Sequence, residues 1–116
     1  MLVQALLEKR DVNSVELQSL LEAREMGKVN FLLVDVREDM EFEMGHIKGA
    51  DLLKPTSMFE QWAKDFFHEV EDKTVIFTCR TGNRSGQVQN IFAKSGHKSV
   101  INHYGGIVSY RGDINR

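Results

Sequence analysis

The chain has 116 residues, 41% of them hydrophobic, and its 15 Lys and Arg against 17 Asp and Glu leave a formal charge of -2. That length supports one domain with its own core, and the near-balance of charge supplies no field for nucleic acid or a membrane surface as a general partner. A single cysteine excludes an internal disulfide and a CxxC redox pair, and a lone thiol is easiest to keep reduced in the cytoplasm, the expected location.

Residues 1–116 read as one domain, with residues 1–11 set apart as a candidate N-terminal extension. Its apolar start, Met1 to Leu7, is interrupted by Glu8-Lys9-Arg10-Asp11 before a signal-peptide core or membrane span could form. Asn13 with Glu16 three residues on predicts a capping box, and Val15, Leu17, Leu20 and Leu21 continue at helical spacing until Gly27 stops the helix. Phe31-Leu32-Leu33-Val34 is an apolar run too short for a helix and predicts a central strand, delivering Asp35-Val36-Arg37-Glu38 at its carboxyl end. A charged, glycine-containing stretch follows, in which Phe42 reads as core and Met40 and Met44 as gap-fillers.

Ala50 to Leu53 predicts a weaker strand, closed by the sole proline, Pro55. Met58, Phe59, Trp62, Phe66 and Phe67 then recur at helical spacing, an aromatic stripe that belongs in a core. Val75 to Thr78 is the next strand, followed by a helix from about Ser85 through Val88, Ile91 and Phe92 to Gly96, and Val100-Ile101 is a short last strand. Strands alternating with helices predict an α/β layer structure with a largely parallel sheet, whose ligands bind beyond the carboxyl ends of the strands. The Asp35 segment and the residues after Thr78 both lie at such ends.

Cys79 stands at the strand-to-helix turn, followed by Arg80-Thr81-Gly82-Asn83-Arg84-Ser85. Loop amides and the positive end of a helix stabilise an anion there, and the two arginines are expected to add to the field, favouring thiolate and attracting anions. A buried, inert thiol is the plain alternative, but arginine, glycine, asparagine and serine are poor company for one. His46, His68, His97 and His103 show neither HxxxH nor HExxH spacing, so no metal and no cofactor are expected. His46, in a glycine-flanked turn, reads as a turn-stabilising residue rather than a base. Arg111-Gly112-Asp113 spells an adhesion tripeptide, taken as coincidence.

Four blocks together resemble the rhodanese sulfurtransferase family: Asp35-Val36-Arg37-Glu38 with Glu41 and Phe42, then Gly45 to Ala50, then Cys79 to Ser85, then Tyr104-Gly105-Gly106-Ile107. The resemblance implies a mostly parallel five-stranded sheet with helices on both faces. It also implies that Cys79 is the catalytic residue, taking a sulfane sulfur from a donor such as thiosulfate and passing it from a persulfide to cyanide or a thiol. A thioredoxin-like or sulfur-trafficking protein is a further acceptor class. Arg80, Thr81, Gly82, Asn83, Arg84 and Ser85 are then the substrate-binding residues, mainly through their amides, with Arg80 holding the anionic donor. Arg84 either binds substrate or braces the loop, and Asp35 and Arg37 are structural supports. The family's tryptophan after the glycine pair is missing here, Tyr110 being the nearest large aromatic.

Two other readings stay open. A cysteine-dependent phosphatase or arsenate reductase also cradles an oxyanion, but that chemistry uses C-x5-R, whereas four residues separate Cys79 from Arg84. A non-catalytic interaction module is the other, for which loss of the cysteine would be the sign.

Overall fold

Leu32–Asp35 and Val75–Thr78 are almost wholly buried, as strands covered on both faces must be. They form the centre of a parallel sheet in a computed structural model that describes residues 3–116. In chain order the elements are α1 (Val3–Leu6), β1 (Asp11–Val12), α2 (Ser14–Glu25), β2 (Leu32–Asp35), α3 (Asp39–Met44), β3 (His46–Ile47), β4 (Leu52–Leu53), α4 (Phe59–Glu69), β5 (Val75–Thr78), α5 (Asn83–Lys94), β6 (Val100–His103) and β7 (Ile114–Asn115). Five strands pair in the order β1-β6-β5-β2-β4, every neighbour parallel. The separate pair β3 and β7 is antiparallel.

Strand alternation divides the core. Val34, Val36, Val75, Phe77, Cys79 and Val100 face one side, where Trp62 and Phe66 of α4 and Val88 and Phe92 of α5 cover them. Leu33, Ile76 and Ile101 face the other, against Leu17 and Leu20 of α2. Helices therefore lie on both faces, and the aromatic stripe of α4 is core. Among the described residues no helix is long and apolar enough to cross a membrane.

Several elements differ from their sequence reading. The segment set apart as an extension joins the body: Leu6 and Leu7 are buried and Asp11–Val12 forms an edge strand on β6. Met1 and Leu2 lie outside the described residues. The Asn13–Glu16 capping box is present, but Val15 points to solvent. The charged stretch after β2 holds the short helix α3, and its Met40 and Met44 are 75% and 78% exposed rather than filling gaps. Ile91 is also exposed, on the outer side of α5, which begins at Asn83 rather than Ser85. Two-residue strands and a six-residue helix are too short to display a period, so only their pairing partners reveal them.

Candidate active site

The alternation of β5 determines where Cys79 points. Val75 and Phe77 face α4 and α5, and Cys79 two residues later faces the same way, 1% exposed, at the amino end of α5. The chain turns there because Gly82 adopts φ +97°, a left-handed conformation that L side chains rarely adopt. The Gly82 amide donates to Sγ at 3.1 Å, and the Ser85 amide and hydroxyl each donate at 3.4 Å. Burial pushes the Cys79 thiol up, and the bonds from the Ser85 hydroxyl and the Ser85, Gly82 and Thr81 amides outweigh it, so its pKa falls below that of an ordinary thiol.

A second segment presses on this loop through backbone. A Cβ on Gly82 would stand 2.1 Å from the Tyr104 carbonyl oxygen, and one on Gly106, itself at φ +68°, would stand 2.2 Å from the Arg80 carbonyl oxygen. The Ile107 amide donates to Cys79 O at 2.9 Å and the Val108 amide to Arg80 O at 3.2 Å. Buried Asn102 donates from Nδ2 to Gly82 O at 3.2 Å. The Tyr104–Ile107 block is thus the back wall of the cysteine loop.

The charged residues separate by role. Arg84 donates two bonds to Glu41, 2.7 Å and 2.9 Å long, joining α5 to α3. The Arg84 guanidinium holds the Glu41 carboxyl down to about 2. The donors around Sγ lower the thiol most, and Arg84, though paired with Glu41, also interacts with the Cys79 charge through space. Arg80 is exposed and makes no ion pair among the described residues. Thr81 and Asn83 are exposed, so their contribution to the cradle runs through the backbone.

Asp35 and Arg37 form a buried pair. Arg37 donates from Nε and Nη2 to both carboxylate oxygens at 2.9 to 3.1 Å, and Nη2 also reaches Gly45 O at 2.7 Å. This ties the end of β2 to the end of α3. His46 stacks on Phe42 at 3.8 Å between centroids and bonds Phe42 O through Nδ1 at 3.0 Å, which occupies it inside its turn.

Three contributions escaped the sequence reading. The Ser85 side chain, as well as its amide, bonds Sγ, Glu41 pairs with Arg84, and Asn102 holds Gly82 from behind. Glu41 had a legible signal, since its carboxylate caps α3 by accepting from the Glu38 amide at 3.0 Å. Asn102 had none, because its role depends on two strands being neighbours.

A family model described as Rhodanese-like domain matches residues 16–113. The chain is 33% identical over 114 residues to the chloroplastic Rhodanese-like/PpiC domain-containing protein 12 of Arabidopsis thaliana, covering 94% of this chain and 37% of that protein. It is 33% identical over 86 residues to a tRNA uridine(34) hydroxylase of Streptococcus thermophilus, covering 71% of this chain and 26% of that one. This chain therefore spans 26% to 37% of the length of these curated relatives. Among solved structures, a rhodanese-like domain protein from Staphylococcus aureus superposes with a TM-score of 0.72 at 23% identity, over 90% of this chain and 94% of the other. A rhodanese-related protein from Thermoplasma volcanium gives 0.70 at 25%, over 88% and 90%. With its parallel sheet, its cysteine loop and a family match over most of its length, the chain belongs to the rhodanese-like domain family.

Proposed function

We propose that this domain is a sulfurtransferase that carries a sulfane sulfur on Cys79. The observation that supports it is the ring of donors on Sγ: the Gly82 amide at 3.1 Å with the Ser85 amide and hydroxyl at 3.4 Å. The Cys79 thiolate attacks the outer sulfur of thiosulfate; the donor S–S bond breaks, sulfite leaves with the electron pair, and a new S–S bond makes the persulfide. Cyanide or a thiolate then attacks the terminal sulfur, the S–S bond breaks, and its electron pair returns to Sγ. Electrons balance within the two transfers. The terminal persulfide sulfur is anionic, and preorganised amides stabilise that charge without reorganising.

Arg80, exposed and without an ion pair among the described residues, is the side chain that recruits an anionic donor, and its guanidinium suits a sulfonate-like group. Arg84 braces α5 against Glu41. That pairing also weighs against phosphatase chemistry, which needs an arginine free to grip a tetrahedral oxyanion. A low-molecular-weight thiol, a thioredoxin-like protein or a sulfur-trafficking protein is the acceptor class. Hydroxylation of tRNA uridine is named for a protein of which this chain covers only 26%, and we assign to this segment the sulfur chemistry alone.

The test is intact mass after incubation with thiosulfate. A gain of one sulfur, about 32 mass units, that disappears with cyanide and is missing in Cys79→Ser is the expected result. No adduct from thiosulfate or from a persulfide donor, with turnover of an aryl phosphate instead, would overturn the assignment.

A further inference from the structure

His103 ends β6 on the face opposite Cys79 and is completely buried. Both ring nitrogens are bonded: Nδ1 to Thr78 Oγ1 and Nε2 to Ser14 Oγ, each at 2.8 Å. Ser14 Oγ in turn meets Ser109 Oγ at 2.5 Å, and Ser109 Oγ donates to Gly106 O at 3.1 Å. With the Ser109 proton assigned to Gly106 O, proton counting fixes the direction of the remaining bonds. A hydroxyl has one proton, so Ser109, donating to Gly106 O, must accept from Ser14. Ser14, donating to Ser109, must accept from His103, which therefore carries its proton on Nε2. Nδ1 is left as an acceptor and takes the Thr78 hydroxyl. Four donors thus run one way, from Thr78 through His103, Ser14 and Ser109 to the carbonyl of Gly106.

That carbonyl belongs to the turn on which the Cys79 loop rests. Gly106 abuts the Arg80 carbonyl and the Thr81 amide, the Tyr104 carbonyl abuts Gly82, and both contacts are too close for a Cβ. A displacement of the turn is therefore a displacement of the amides that point at Sγ. Thr78, at the other end of the chain of bonds, is the residue before Cys79.

We propose that His103 is a positioning residue of the sulfur site: held neutral with its proton on Nε2, it links the start of the cysteine loop to the turn behind it and so sets the register of the loop amides on Sγ. Desolvation keeps the imidazole neutral by lowering its pKa to about 4. Its contacts come from Thr78 of β5, Ser14 of α2, Val12 of β1 and the edge of the Tyr110 ring, whose centroid is 6.3 Å away; Tyr110 is the titratable group among them. This role rests on the sulfur-transfer reading of Cys79, but its test does not require turnover.

The measurement is the rate of Cys79 alkylation by iodoacetamide against pH, which gives the thiol pKa in the folded protein. His103→Leu removes both bonds and is expected to raise that pKa by about one unit, read as a shift of the whole alkylation profile to higher pH by that amount. His103→Gln, whose amide reproduces the Nε2–H donor to Ser14, should recover most of the loss. Ser14→Ala, which cuts the same chain at a half-buried position, should shift the pKa in the same direction and carries the test if His103→Leu does not fold. A purely structural histidine would lower the melting temperature and leave the thiol pKa of the folded variants unchanged, and that outcome would sink the proposal. The two readings fail separately. No sulfur adduct on the wild-type protein defeats the function but not the positioning, whereas a normal adduct with unshifted thiol pKa in His103→Leu and Ser14→Ala defeats the positioning alone.

Discussion

Around Cys79 the opposing effects are desolvation, which favours the thiol, and directed donors, which favour the thiolate, and here the donors prevail. Ser85 is the residue that tips the balance, because it alone supplies both an amide and a hydroxyl to Sγ. Ser85→Ala removes the hydroxyl from a fully buried position without adding bulk. The expected outcome is a thiol pKa raised by about one unit or more, since a hydrogen bond to a charged group is worth roughly 1.5 kcal/mol or more and one unit is about 1.4 kcal/mol. Alkylation rate against pH measures it, and an unchanged profile would show that the amides suffice.

At the scale of elements, two ion pairs hold α3 in place and should behave oppositely when cut. Asp35 and Arg37 are both buried, so Asp35→Ala leaves an uncompensated guanidinium in the interior and should cost about 3–5 kcal/mol. Glu41 and Arg84 are about a third exposed, so Glu41→Gln should cost at most about 1 kcal/mol. Urea unfolding of the two variants measures the difference, and similar costs would contradict it. Both pairs come from segments the sequence marks by composition, yet their partners were only half legible. The two-residue separation of Asp35 and Arg37 at a strand end pointed to a local pair. Glu41 and Arg84 are 43 positions apart, and no local pattern connects them. The same limit hid β1, β3 and β7, whose two residues acquire strand geometry only from a neighbour.

For the whole molecule, the buried histidine sets how stability responds to acid. The His103 pKa drops from 6.5 to about 4 on folding, so between those values the unfolded chain binds a proton that the folded chain does not. Its contribution is complete above pH 6.5 and declines as pH falls towards 4, by about 3 kcal/mol in all. Tyr110, its aromatic neighbour, has a raised pKa and stays protonated throughout this window. Glu41 adds a second loss lower down, between 4.5 and about 2, where its carboxylate must take up a proton. Unfolding free energy of wild type against His103→Gln should therefore differ in slope between pH 6.5 and 4, and parallel curves would refute this.

Apolar runs of four residues, an aromatic stripe at helical spacing and a capping box at Asn13 determined by themselves the largely parallel α/β layering, while the helices on both faces were implied by the family resemblance. Those signals are local, and burial acts on them wherever the chain folds. The position of Cys79 at a strand-to-helix turn, and its loop of glycine and serine, were equally local. Only the tertiary structure decided which groups surround that sulfur. It brought Tyr104 and Gly106 against Gly82 and Arg80, gave Arg84 to Glu41, left Arg80 without an ion pair among the described residues, and ran the bonds of His103 across three elements. These depend on which strands become neighbours, and hydrogen-bond donors find their acceptors in space rather than along the chain.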